Sequence, residues 1–142
     1  MIRARIVGIG NSLIAGDAAG IRVLEELRAR RLDANIELVE GRLAGLNLLP
    51  CFEGCDRVVL VDRVVGFGRP GEVVRLAAGD VAACEINPDL HSGGLLYLLR
   101  TLPFLGITPL PAICLIGIEG EGDEAAIGQA ADMALEAVYE IP

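Results

Sequence analysis

Four consecutive apolar residues near the middle of the chain, Val58 to Val61, constrain the fold more than any other feature of the sequence. An uninterrupted apolar run of this kind predicts a strand that is buried on both faces. Such strands are typical of parallel sheets with helices packed on either side. The run ends at Asp62, so the sequence also predicts a carboxylate at the carboxyl end of an inner strand.

Strand patterns alternate with helical patterns along the whole chain. We expect strands at 2–7, 36–40, 58–62, 72–76 and 111–117, and helices at 21–32, 43–52, 95–102 and 123–139. This order predicts a single domain over residues 1–142 with an α/β fold. We expect a three-layer α/β/α sandwich around a mainly parallel, five-stranded sheet. The strand at 72–76 alternates in character, which indicates an edge strand and allows it to be antiparallel to its neighbour.

Composition and charge exclude several classes of protein. The chain carries 12 basic and 20 acidic residues, a net charge of −8, and its basic residues cluster only at Arg28, Arg30 and Arg31, so we expect no nucleic-acid partner. Three prolines interrupt the longest uncharged stretch, 101–118, and no run suits a signal peptide. The four cysteines form no paired C-x-x-C units, which favours reduced thiols in a cytoplasmic protein without membrane insertion.

A glycine-rich stretch connects the first strand to the first helix. Gly8 and Gly10 allow a sharp turn or a close approach of backbones, and Asp17 follows just before the helix. A dinucleotide fingerprint would need a third glycine where this chain has Leu13. Two interpretations of Asp17 stay open from the local pattern: a helix cap, or a functional carboxylate on the ligand-binding edge of the sheet.

Three side chains that suit metal binding are expected on one edge of the sheet. Right-handed crossovers place the loops after the first and third strands on the same edge, which makes Asp17 and Asp62 neighbours. The single histidine, His91, enters a helix from a loop and can reach that edge. Two carboxylates and an imidazole suit a divalent metal such as nickel or zinc. Taken singly, each residue also has an ordinary structural interpretation, as a cap, a turn former or a core histidine.

The sequence gives no convincing nucleophile. Ser12 and Ser92 are loop serines without a G-x-S-x-G elbow, and no local pattern supports Cys84 as a thiol activated by His91.

The opening of the chain resembles that of the hydrogenase maturation endopeptidases. The resemblance rests on Gly8-x-Gly10-Asn11-x-Leu13, followed by an acidic residue and Gly20 before a helix. Further matches are Ala44-Gly45 after the second strand, Asp62 at the end of the third, His91 before a helix, and Gly117-Ile118-Glu119 at the end of the last strand.

The resemblance implies both a fold and an activity. Members of this family have an α/β/α sandwich and remove a C-terminal extension from the large-subunit precursor of nickel–iron hydrogenases. It implies that Asp17, Asp62 and His91 bind nickel, supplied by the immature active site of the precursor. The way in which the peptide bond is broken stays open between a metal-polarised carbonyl, a metal-bound water and a scaffold that aligns the peptide, so no catalytic residue is assigned.

The chain departs from the family pattern at two places. Gly16 stands where the family usually has a second acidic residue, and Gly41-Arg42-Leu43 stands where it often has a Gly-Gly-Thr type of turn. Two alternative functions therefore stay open: a non-catalytic metal-docking chaperone, and a nucleotide-binding regulatory module that uses the glycine loop.

Overall fold

The computed structural model describes residues 2–11, 13, 18–43, 45–83 and 93–140. Within these ranges, five strands form one sheet: β1 (Ala4–Ile9), β2 (Ile36–Arg42), β3 (Arg57–Val64), β4 (Val73–Ala77) and β5 (Ala112–Glu119). Their order is β2-β1-β3-β5-β4. All neighbours are parallel except β4, which lies antiparallel to β5 at one edge. The predicted five-stranded, mainly parallel sheet with an antiparallel edge strand is confirmed.

Helices cover both faces of this sheet. In the described ranges they are α1 (Ala19–Arg28), α2 (Ala78–Ala83), α3 (Gly93–Thr101) and α4 (Glu124–Glu140), with 3₁₀ helices at Leu46–Phe52 and Leu102–Phe104. Helices α1 and α4 pack on one face, where they share a hydrophobic cluster with Ile6, Val59 and Ile116. Helices α2 and α3 and the first 3₁₀ helix pack on the other face, against Leu60 and Leu115. The predicted three-layer sandwich is therefore correct.

Several predicted boundaries are wrong for identifiable reasons. Strand β3 continues two residues beyond Asp62, because the pairing with β5 extends to Val64 opposite Glu119. Gly41 does not end β2; the chain runs on to Arg42, where the register with β1 shifts by a bulge. The helix predicted at 43–52 begins only at Leu46; it ends at Phe52, soon after Pro50 as predicted, and is a 3₁₀ helix. Proline lacks the N–H that an α-helix interior requires.

Two more differences concern helices. Helix α1 ends at Arg28, so Leu32 lies beyond it, although the Leu32 side chain still packs against the cluster beneath α1. The connection expected after β4 begins with α2, a short helix that buries only Val81. A single buried side chain produces no helical periodicity in the sequence, which is why this helix was not predicted.

The start of α1 lies unusually close to the sheet. A Cβ atom built on Gly20 would stand 2.3 Å from the carbonyl oxygen of Ile9 and 2.6 Å from that of Val61. A Cβ atom on Gly8 would stand 2.4 Å from the carbonyl oxygen of Gly20. The absence of side chains at both glycines thus lets α1 begin directly against the carboxyl ends of β1 and β3.

Candidate functional site at the carboxyl edge

Asp62 lies near the carboxyl end of β3, opposite Gly117 of β5. Its side chain follows the same alternation as Leu60 and Val64, so it points to the face of the sheet that α3 covers. Only 1% of the residue is exposed. One carboxylate oxygen, Oδ1, accepts a 2.8 Å hydrogen bond from the backbone N–H of Arg63. A buried carboxylate on an inner strand is the feature expected of a ligand at this edge.

Asp17 lies outside the described residues, so its predicted role as a ligand is untested. After β1 the structure describes Gly10, Asn11 and Leu13, and it resumes at Ala18, which occupies the N-cap position of α1. The start of α1 is at the carboxyl edge of the sheet, because a Cβ atom built on Gly20 would stand within 2.6 Å of the carbonyl oxygens of Ile9 and Val61. The start of α1 therefore lies beside β3, the strand that carries Asp62.

His91 also lies outside the described residues, two positions before α3. The leucines of α3, among them Leu95 and Leu98, pack into the cluster on the face that Asp62 shares. After α3 and the second 3₁₀ helix, residues 106–109 line a cavity together with Asp56, which precedes β3 at the amino edge. We infer that α3 runs from the carboxyl edge toward the amino edge, so that its first residue lies at the edge where Asp62 is found.

A second buried carboxylate at this edge was not assigned a role from the sequence. Glu119 ends β5 and is 6% exposed. Its Oε1 accepts a 2.7 Å hydrogen bond from the backbone N–H of Gly66, and its Oε2 accepts a 3.1 Å bond from that of Phe67. Backbone bonds from Gly71 to the Glu119 carbonyl and from Glu119 to the Glu72 carbonyl add to this anchorage. Glu119 therefore holds the loop that follows the Asp62 strand.

The turn at the end of β2 also lies at the carboxyl edge, beside the start of the glycine loop. The backbone N–H of Gly10 donates a 2.8 Å hydrogen bond to the carbonyl oxygen of Arg42. This bond joins the turn after β2 to the glycine loop that leads toward Asp17. The side-chain amide of Asn47 donates a 3.0 Å bond to the Gly41 carbonyl, which fixes the same turn from the other side.

The described cysteines do not supply a reactive thiolate. Burial raises the pKa of the Cys114 thiol to about 11, and it also raises the pKa values of Cys51 and Cys55. Thiols with raised pKa values stay protonated near neutral pH and are poor nucleophiles. All three are free thiols. Cys84, the fourth cysteine, lies outside the described ranges.

Two searches of the described residues gave negative results. No group of three or more His, Cys, Asp or Glu side chains in these ranges is arranged to hold a metal ion; two of the three expected ligands lie outside them. No helix in the described part of the chain is long and apolar enough to cross a membrane.

Comparison with known proteins identifies the family. The sequence model for the hydrogenase maturation proteases matches residues 21–141. The chain belongs to the hydrogenase maturation protease family. This family member is therefore a peptidase, as the resemblance of its opening motif predicted.

Two curated relatives agree with this assignment. Over 132 residues the chain is 32% identical to the hydrogenase 2 maturation protease of Escherichia coli K12, covering 89% of this chain and 79% of that protein. It is 33% identical over 111 residues to the hydrogenase expression/formation protein HupD of Rhodobacter capsulatus. That match covers 75% of this chain but only 52% of HupD, so the chain spans about half of the longer relative.

Solved structures show the same fold. The hydrogenase maturating endopeptidase HybD from Escherichia coli superposes with a TM-score of 0.79 at 29% identity, over 98% of this family member and 93% of that chain. The nickel–iron hydrogenase maturation protease HybD from Thermococcus kodakarensis superposes with a TM-score of 0.67 at 20% identity, over 98% of both chains. The second likeness concerns the fold alone.

Proposed function

We propose that this protein removes a C-terminal extension from the large-subunit precursor of a nickel–iron hydrogenase, and that Asp17, Asp62 and His91 bind the nickel ion carried by that precursor. Family membership supports the endopeptidase activity. The reduced thiols of the described cysteines are compatible with action in the cytoplasm, the compartment we propose.

The burial of Asp62 at the carboxyl edge is the observation on which this proposal depends most. An ionised carboxylate is costly to bury unless a partner or a metal compensates for the water that it loses. At the carboxyl edge of an α/β sheet, a buried carboxylate stands where such folds bind their ligands. Its position on the face covered by α3, the helix that His91 precedes, supports a ligand set assembled from the ends of β1, β3 and the segment before α3.

The proposed ligands explain how nickel loading controls cleavage. Two carboxylate oxygens and a neutral imidazole nitrogen are donors that suit nickel. A precursor without nickel offers these side chains nothing to bind, so its peptide is not held at the edge. In a loaded precursor, the contact with nickel fixes the position of the extension relative to the protease. A bound divalent metal can also polarise a carbonyl or activate water.

The burial of Asp62 adds a structural requirement. Because 1% of the residue is exposed in the free protein, nickel on a partner can reach the carboxylate only if the covering side chains move apart. We expect the segments at the carboxyl edge to rearrange when the precursor docks. A rearrangement of this kind would add a conformational step to the recognition of the loaded precursor.

The test is cleavage of the purified precursor, followed by intact-mass measurement. Nickel-loaded precursor should lose the mass of its C-terminal extension, and nickel-free precursor should not. Asp62→Asn keeps the shape of the side chain but removes the charge that would bind nickel. Mutating a residue that only orients a metal ligand typically costs roughly 10- to 100-fold in activity. Asp62→Asn should lower the cleavage rate by more than this.

Asp56→Asn is the matched control, because Asp56 lies at the amino end of the same strand and accepts a hydrogen bond from the Arg3 backbone. The Asp56→Asn variant should cleave loaded precursor at the wild-type rate. Wild-type cleavage by Asp62→Asn, or equal cleavage of loaded and unloaded precursor, would contradict the proposal. Tight binding of loaded precursor without any loss of mass would favour the metal-docking chaperone instead.

A further inference from the structure

A pair of free thiols lies at the amino edge of the sheet, away from the candidate site. Cys51 is in the 3₁₀ helix Leu46–Phe52, and Cys55 follows it just before β3. Both side chains are partly buried, and both pack against the hydrophobic cluster that contains Phe52 and Leu98. The two thiols therefore lie on the same face of the sheet.

The local backbone brings the two cysteines together. The Sγ–H of Cys55 donates a 3.5 Å hydrogen bond to the carbonyl oxygen of Cys51. Gly54, with a φ angle of 72°, turns the chain between them in a conformation that favours glycine. The sulfur atom of Cys55 thus lies next to the residue that carries the other thiol.

The guanidinium of Arg5 holds this segment in place and acts on both thiols. It donates hydrogen bonds to the carbonyl oxygens of Pro50 (3.2 Å), Cys51 (3.0 Å) and Glu53. Burial raises the pKa of both thiols, and the positive charge of Arg5 acts in the opposite direction on each pKa. A cation at this position favours thiolates, the form in which cysteine binds metals.

Two neighbouring cavities give solvent access to this pair. A cavity of about 400 Å³ is lined by residues that include Cys55, Asp56 and Thr108. A second cavity of about 260 Å³ is lined by residues that include Cys55, Arg5 and Glu37. Because Cys55 contributes to the walls of both, a small ion can reach its sulfur atom without any opening of the core.

The ligands available here favour a soft ion that needs only two of them. Zinc and nickel normally take four or more ligands, and no group of three or more His, Cys, Asp or Glu side chains among the described residues is arranged to hold a metal ion. Cu(I) prefers thiolates, and two are sufficient for it. Oxidation to a disulfide is a poorer use of this pair, because thiols with raised pKa values exchange slowly.

We propose that Cys51 and Cys55 form a two-thiolate binding site for a soft monovalent metal ion of the Cu(I) type. Two sulfur–metal bonds form as two S–H bonds break, and both protons pass to solvent. The complex carries one negative charge, which the guanidinium of Arg5 offsets. The site uses none of the proposed nickel ligands and lies at the opposite edge from Asp62, so this inference does not depend on the proposed function.

The first experiment titrates the protein anaerobically with Cu(I) against a coloured Cu(I) chelator. Every protein in the series carries Cys84→Ser, so that the fourth thiol contributes nothing. Cys51→Ala and Cys55→Ala should each lower the affinity for Cu(I) by more than the roughly 10- to 100-fold cost of losing a residue that only orients a metal ligand. Cys114→Ala is the matched control, because Cys114 packs in the cluster on the other face, and it should bind Cu(I) as tightly as the parent protein.

A second experiment uses the wild-type chain and needs no variant to fold. Excess N-ethylmaleimide should alkylate Cys51 and Cys55 in the metal-free protein, and peptide mass mapping identifies the modified thiols. One equivalent of Cu(I) should slow alkylation at both positions together, whereas Zn²⁺ or Ni²⁺ at the same concentration should not.

X-ray absorption at the copper edge completes the test and should show two sulfur ligands in the Cys84→Ser protein. The inference is overturned if either single variant binds Cu(I) as tightly as Cys114→Ala, if Cu(I) protects only one of the two thiols or neither, or if Zn²⁺ or Ni²⁺ protects both equally well. A copper spectrum without two sulfur ligands would overturn it as well.

Discussion

The carboxylate of Glu119 accepts a 2.7 Å hydrogen bond from the backbone N–H of Gly66, a residue 53 positions earlier in the chain. Together with the bond from Phe67, it ties the loop after β3 to the end of β5. This loop begins three residues after Asp62. The geometry of the candidate site therefore depends on a second carboxylate that does not belong to the proposed ligand set.

Glu119→Gln should destabilise the protein and loosen this loop. An amide side chain has only one oxygen to accept from the two backbone donors, so one N–H loses its charged partner, at a cost of about 1.5–3 kcal/mol in the free energy of unfolding. Hydrogen exchange at Gly66 and Phe67 should become faster. Glu121→Gln, an exposed neighbour, should change neither measurement; equal behaviour of the two variants would refute the anchoring role.

The sequence predicted the architecture well because burial on both faces leaves a clear pattern. The apolar run at Val58 and the alternation of strands and helices were sufficient for the layers and the parallel sheet. The ends of elements were predicted less well. Pairing with β5 carries β3 past the polar Asp62, and a bulge carries β2 past Gly41. Local patterns do not reveal pairing with distant strands.

The sequence predicts a residue of the candidate site only when the type and position of that residue alone indicate its role. Asp62 is recognisable as a carboxylate that follows an apolar strand. Glu119 also ends an apolar strand, but its partners are backbone N–H groups that any sequence supplies. The positive φ of Arg42 was equally hidden, because this residue follows the bulge between β1 and β2, and pairing between distant strands leaves no local pattern.

Gly20→Ala should be strongly destabilising. The added Cβ atom would lie 2.3 Å from the Ile9 carbonyl oxygen, a contact that requires α1 to move away from the sheet. Overpacking typically costs about 1–3 kcal/mol, and part of this is offset by the better helix propensity of alanine.

Cleavage by Gly20→Ala should fall as well, since α1 begins beside the segment that contains Asp17. Gly128→Ala in α4, where an added Cβ has no neighbour within 4 Å, should instead raise the unfolding free energy by up to about 1 kcal/mol. Urea denaturation and the cleavage assay measure both effects, and a Gly20→Ala protein of wild-type stability would contradict the close contact.

Arg42→Gly should make the protein more stable, because Arg42 has a φ angle of 53°, in the left-handed region that favours glycine. Removing an L-residue from the left-handed region should raise the free energy of unfolding by about 1 kcal/mol. Arg31→Gly is the control, because the backbone of Arg31 has no positive φ. Glycine at that position only increases the conformational entropy of the unfolded chain, so this variant should be less stable than wild type. Thermal unfolding distinguishes the two, and a lower Tm for Arg42→Gly than for wild type would argue against strain.

Alkaline pH should destabilise the protein partly through Cys114. Burial raises the pKa of this thiol from 9.0 to about 11 in the folded protein. Between these values the thiol ionises only in the unfolded chain. Its contribution to the free energy of unfolding is therefore complete below pH 9 and is lost as the pH rises to 11. The loss attributable to this group is about 2–3 kcal/mol. Cys114→Ala should show a shallower decline over this interval, and an identical decline would exclude this contribution.

The most direct test of the nickel-binding claim is anomalous diffraction from crystals of this protein soaked with nickel. We predict a single nickel peak bonded by a carboxylate oxygen of Asp17, a carboxylate oxygen of Asp62 and a ring nitrogen of His91, each at about 2 Å. A structure in which His91 lies at the amino edge, or in which nickel binds elsewhere and leaves Asp62 uncoordinated, would contradict the account.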